Sequence, residues 1–79
     1  MNTASTRAEK DLKIVMRVRE YIQENNIPVR TLASYMGLTY DQLYQKIFNR
    51  QSIDIVTYMQ LCRLFDVDAD DFISDIIKE

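Results

Sequence analysis

Asp66, Asp68 and Asp70 stand at alternate positions. That is the spacing at which the first three acids of a calcium-binding loop grip their ion. Such a loop also needs glycine at its sixth position and a bidentate glutamate at its twelfth. This chain has Asp71 and Ile77 there. Asp68, Asp70 and Asp71 read instead as first-turn residues of a helix, where the macrodipole favours negative charge. Cys62, the single cysteine, falls on a periodic apolar helix face and reads as a small buried residue rather than a redox group. Histidine is absent. That removes the usual zinc sites, imidazole acid–base work and His-activated nucleophiles. Neither a convergent acid pair nor a Gly-rich phosphate loop stands in the sequence. The expectation is therefore no enzyme, no catalytic residue, no metal, no cofactor and no small-molecule ligand.

The informative spacing lies in residues 29–48. Leu32 and Ala33 are followed by Gly37, Leu38, a polar Thr39 and then Leu43. Two helices that cross steeply over a turn of about three to four residues need a small residue at the crossing, here Ala33. They also need a left-handed turn residue, Gly37, and apolar pegs after it, Leu38 and Leu43. In that geometry the second helix protrudes and can enter a major groove.

Helices supply the frame throughout. One glycine and one proline among 79 residues leave few breakers. Residues 1–8 are rich in Ser, Thr and Ala and read as a flexible N-terminal segment, with residues 9–79 as a single domain. From about Glu9 to Asn25, Leu12, Ile14, Val15, Met16, Val18, Tyr21 and Ile22 form a wide amphipathic stripe. Asn25 and Asn26 end it. Pro28 opens a short second helix that runs to Met36 and buries Leu32, Ala33 and Met36. Gly37 is its left-handed cap, and Thr39 caps the third helix, Tyr40 to Phe48. Leu43 and Ile47 face inward there, with Tyr44 open to an inward or a groove-facing place. After a polar loop, a fourth helix over about Asp54 to Phe65 places Ile55, Tyr58, Met59, Cys62 and Phe65 on one face. A fifth begins at Asp68 and carries Phe72, Ile73, Ile76 and Ile77. Met16, Met36 and Met59 fall at core spacing. The fold class is all-α, with five helices.

The apolar fraction of 47% belongs to a globular chain. A lone cysteine cannot form an internal disulfide, and the polar N-terminus carries no signal-peptide stretch. No apolar run is long enough to span a membrane. A cytoplasmic location is the expectation. The net charge of −2 conceals a polarity: residues 1–65 carry nine Lys/Arg against six Asp/Glu, whereas residues 66–79 carry one against six. A weakly basic body therefore precedes an acidic tail, and local charge governs binding.

Residues Val29 to Phe48 resemble the helix-turn-helix of phage lambda-repressor/Cro-like regulators, the XRE family. Ile53 to Asp71, with Met59, Leu61, Cys62, Phe65, Val67 and Phe72, are similar to that family's fourth helix and the start of its fifth. The resemblance covers roughly residues 10–75. It implies a five-helix lambda-repressor-like domain with its helix-turn-helix at helices 2 and 3, and a repressor-type transcriptional regulator that binds double-stranded operator DNA as a homodimer. Carried over by position, Thr39, Tyr40, Asp41, Tyr44 and Gln45 would face base edges. Gln45 suits adenine, Asp41 a cytosine amine, and Tyr40 or Thr39 a thymine methyl or a phosphate. Arg30, Lys46, Asn49, Arg50 and Gln51 would hold the phosphate backbone. The chain departs from the family at Pro28 and Val29, where members often carry Gln or Thr. It departs again at Ile47, Phe48 and Asn49, where many carry Glu-Asn-Gly. Ile73 and Ile77, one position beyond the core stripe of the last helix, are expected at a dimer seam. The alternative function is a protein-interaction module or antirepressor that keeps the fold without binding DNA, which Asp41 and the acidic tail favour.

Overall fold

The computed structural model describes the backbone of residues 3–77 and the side chains of residues 8–76. Six helices follow one another: α1 (Thr3–Glu24), α2 (Val29–Met36), α3 (Tyr40–Phe48), α4 (Ile55–Phe65), α5 (Ala69–Phe72) and α6 (Ser74–Ile77). The described residues contain no strand. The class is all-α, as expected.

Local signals fix most helix ends. Asn26 adopts a left-handed φ of 53°, and the N–H of Ile27 then donates back to the Ile22 carbonyl at 2.9 Å. Gly37 takes φ 69° after α2, and the N–H of Leu38 donates to the Ala33 carbonyl at 2.9 Å. A Cβ on Gly37 would meet nothing within 4 Å, so backbone conformation alone demands glycine here. Thr39 and Gln42 form a reciprocal capping box at the start of α3. Asp68 accepts from the N–H groups of Asp70 and Asp71 and so caps α5, as its position predicts. Asp66 supplies a third left-handed end, φ 60°, after α4. A short polar side chain tolerates that conformation better than most.

The core forms where these helices meet. α2 packs on α3, α1 on α3 and α6, and α4 on α2 and α5. Val15, Val18, Leu43, Ile47 and Leu61 are fully buried, with Leu32, Ala33, Tyr58 and Cys62 nearly so. An aromatic cluster closes one end. Tyr21 lies 4.4 Å from Phe65 and 5.5 Å from Phe72 between ring centroids, distances at which tilted rings attract. The Tyr58 hydroxyl donates to the Ala69 carbonyl and ties α4 to α5.

Four expectations need correction. The first helix begins at Thr3 rather than at about Glu9, because extending an existing helix fixes few further dihedrals for each hydrogen bond gained. The buried face of α4 is Thr57, Tyr58, Leu61 and Cys62; Ile55 and Met59 lie outside it. Met16 and Met59 are exposed for the same reason: each sits on a helix with more apolar residues than its buried stripe can hold. The fifth helix is broken at Ile73 into α5 and α6. The carbonyls at the break keep partners, since Arg17 donates to Phe72 O at 2.9 Å and Ser74 Oγ to Asp71 O at 3.1 Å.

Candidate nucleic-acid interface

The turn from Gly37 to Thr39 aims α3. Leu43 and Ile47 anchor its inner face in the core, which leaves Tyr40, Asp41, Tyr44 and Gln45 exposed on the outer one. The capping box fixes the entry to the helix: the Thr39 hydroxyl accepts from the Gln42 N–H at 3.1 Å, and Gln42 Oε1 accepts from the Thr39 N–H at 2.9 Å. Capping uses the Thr39 oxygen as an acceptor and leaves its O–H able to donate outward. Asp41 stands in the first turn, where its charge suits the helix dipole.

Aromatic rings run along α3 at four-residue steps. Tyr40 and Tyr44 lie 5.7 Å apart, and Tyr44 stacks on Phe48 at 4.8 Å with 25° between planes. Both tyrosines keep about two-fifths of their surface open, at 42% and 39%. They therefore pack on one another and face solvent together. At the head of this ladder the Arg30 guanidinium lies 5.7 Å from the Tyr40 ring centroid, within cation–π range. Beside it, Leu38, Asp41, Gln42, Gln45, Lys46 and Arg50 line a shallow groove.

Of the residues expected on phosphates, Arg30, Asn49, Arg50 and Gln51 are exposed. Lys46 is half-buried, and its ammonium lies 3.7 Å from Asp54 Oδ1. That carboxylate also accepts from the Thr57 N–H at 3.0 Å and hydroxyl at 2.8 Å. Burial alone would raise the Asp54 pKa; the Thr57 hydrogen bonds and Lys46 outweigh it and hold Asp54 below its ordinary value. Ile73, expected at an exposed seam, is half-buried against the core, because the break turns it inward. The side chain of Ile77 lies outside the described residues.

Two residues escaped the sequence reading. Phe48 completes the ring ladder, which the spacing of 40, 44 and 48 could have announced. Arg19, on α1, donates from Nε to Ile47 O at 2.7 Å and from Nη2 to Arg50 O at 2.6 Å, and so holds the end of α3 and the loop after it. A second clamp lies elsewhere. Arg17 grips Asp75 through both carboxylate oxygens, at 3.1 and 2.6 Å. The Arg17 hydrogen bonds hold the Asp75 carboxyl below its usual range.

Among the described residues no group of three or more His, Cys, Asp or Glu side chains could hold a metal ion, and no helix is long and apolar enough to cross a membrane. No protein-family model, curated protein or solved structure matches the chain.

Proposed function

We propose that the chain is a sequence-specific DNA-binding regulator with a lambda-repressor-like helical arrangement, acting as a dimer with α3 of each copy in a major groove. One observation carries the reading. A capped helix of nine residues turns a polar and aromatic face outward over a glycine turn, with Arg30 at its head and Arg50 just beyond its end. Nine residues make a helix of about 13 Å, comparable to a major groove about 12 Å wide. Arg30 and Arg50, both exposed, supply positive charge near the two ends of α3 for the phosphate backbone. Gln45 and Asp41 supply base-edge chemistry, Tyr40 and Tyr44 apolar contact with thymine methyls, and Thr39 a donor. Arg50, Asn49 and Gln51 position the domain without reading sequence.

A second reading is a protein-interaction module with the same helices and no DNA. Asp41 favours it, because a carboxylate at the groove-facing end of α3 repels phosphate.

Selection from a random duplex library at low salt separates the two. Enrichment of paired half-sites about ten base pairs apart supports the DNA reading. No enrichment by a folded protein removes it and leaves the interaction module.

A further inference from the structure

Asp41 and Tyr44 stand three positions apart on α3, so their side chains are neighbours on its outer face. Tyr44 is held in place. It stacks on Phe48 at 4.8 Å and lies 5.7 Å from Tyr40, yet keeps 39% of its surface open. Asp41 is exposed, and among the described residues no hydrogen bond or ion pair engages its carboxylate. Two cations, Lys46 and Arg50, line the same groove as Asp41. Lys46 turns to Asp54 instead. The outer face of α3 thus sets an unpaired acceptor beside a fixed apolar ring.

We propose that Asp41 and Tyr44 together read one base, 5-methylcytosine, in the major groove, so that affinity for DNA follows the methylation of cytosine. The inference rests on the preceding reading in placing α3 in that groove, and it moves the methyl that Tyr44 meets from thymine to cytosine.

The chemistry of the pair selects the base. An ionised carboxylate accepts hydrogen bonds and has no proton to donate. In the major groove it suits an amine, on cytosine or on adenine. An apolar ring surface suits a methyl on C5 of a pyrimidine. Cytosine has the amine without the methyl. Thymine has the methyl, but the group beside it is the O4 acceptor, which repels a carboxylate. An A·T pair offers both groups, with thymine O4 between them. Only 5-methylcytosine carries amine and methyl on adjacent ring carbons, side by side as Asp41 and Tyr44 are. Gln45, four positions from Asp41, is left for the next base pair. Arg50 meets phosphate while Asp41 meets the amine, so both charges in the groove find their opposites on the duplex.

Equilibrium titration of the full chain with the duplex that selection yields tests the pair. Each base pair is replaced in turn by C·G, 5-methylcytosine·G, T·A and U·A, in both strand orientations. At one position of each half-site 5-methylcytosine should bind tightest. It should exceed cytosine by about fourfold, the gain from burying one methyl. It should exceed thymine by about tenfold, the loss when an acceptor replaces a donor. Tyr44→Ser should remove the methyl gain and keep the preference for cytosine over thymine. Tyr44→Leu, which keeps apolar surface, should retain the gain. Asp41→Asn should do the reverse of Tyr44→Ser: an amide donates as well as accepts, so the preference for cytosine disappears and the methyl gain stays. Ratios between duplexes are the readout, because Asp41→Asn also removes a negative charge and tightens binding to every duplex. Far-UV circular dichroism should stay unchanged, since both side chains are exposed. Equal affinity for methylated and unmethylated cytosine at every position, tightest binding to thymine where Tyr44→Ser acts, or a methyl gain that survives Tyr44→Ser would each overturn the pair and leave the DNA reading standing. Binding to no duplex would remove the DNA reading and the pair with it.

Discussion

Arg19 Nε donates to the carbonyl oxygen of Ile47 at 2.7 Å, joining the C-terminal third of α1 to the last turn of α3. The same guanidinium reaches Arg50 O at 2.6 Å. The last carbonyls of a helix have no partner within it, so a cation from another helix satisfies them and meets the negative end of the dipole. The two bonds hold the outer helix in place without using any residue on its exposed face.

Arg19→Met therefore keeps much of the apolar stem but removes both bonds. A hydrogen bond to a charged group contributes about 1.5–3 kcal/mol, but the bond to Ile47 O is only half-buried and the one to Arg50 O is exposed, so solvent competes for both. A loss of about 1–3 kcal/mol in urea unfolding is expected. Amide exchange should accelerate over residues 47–51 more than in the core of α1. Uniform acceleration along the chain would mean that Arg19 supports overall stability alone and does not position α3.

Gly37→Ala tests the turn. Nothing within 4 Å opposes the added methyl, so the whole effect comes from φ 69°. A left-handed alanine costs about 1–2 kcal/mol, and Gly37→Asn should cost less because asparagine tolerates the region. Equal losses for the two variants would point to a packing constraint instead.

The turn was legible in the sequence because its signals are local. Gly37, Thr39 and Asp68 each act on atoms within about four residues, and their residue types name the act. The outward face of α3 followed from the same local frame, since Leu43 and Ile47 fix its inner side. The buried face of α4 was not legible. Apolar residues surround that helix, so periodicity finds two faces and only tertiary packing chooses between them. The arginine clamps were also hidden. Arg17 and Arg19 find partners 55 and 28 residues away, and a backbone carbonyl has no signature in sequence. The break at Ile73 sits at a residue with no breaking tendency; side-chain donors to nearby carbonyls made it tolerable.

Acid should loosen the fold through two carboxylates. Asp75, held by Arg17, and Asp54, held by Thr57 and Lys46 against the effect of burial, both lie below the ordinary value of 3.8. A depressed carboxylate contributes stability that is complete above its unfolded pKa and is lost as pH falls through its folded one. The urea midpoint should therefore fall below about pH 4. Asp75→Asn and Asp54→Asn should lower the midpoint at neutral pH and flatten its decline in acid. Asparagine keeps the capping oxygen at position 54, so the second variant isolates the charge. An unchanged acid slope in both variants would assign the decline to other groups.

DNA binding should divide between Arg50 and Gln45. The carbonyl of Arg50 is pinned by Arg19, so Arg50→Ala removes a charge without releasing the loop. Each phosphate neutralised contributes about 0.9 to the slope of log affinity against log salt. Arg50→Ala should make that slope shallower by about one and weaken all duplexes alike. Gln45→Ala removes no charge. It should leave the slope unchanged and reduce discrimination at one base pair by about 1–3 kcal/mol. Titrations over a range of salt, with the selected duplex and each single-base variant, separate the two effects. If Gln45→Ala shifts the salt slope while Arg50→Ala relaxes one base position, the roles are exchanged and α3 lies in the groove with a different face inward. If neither variant changes any duplex, the outer face of α3 does not meet DNA.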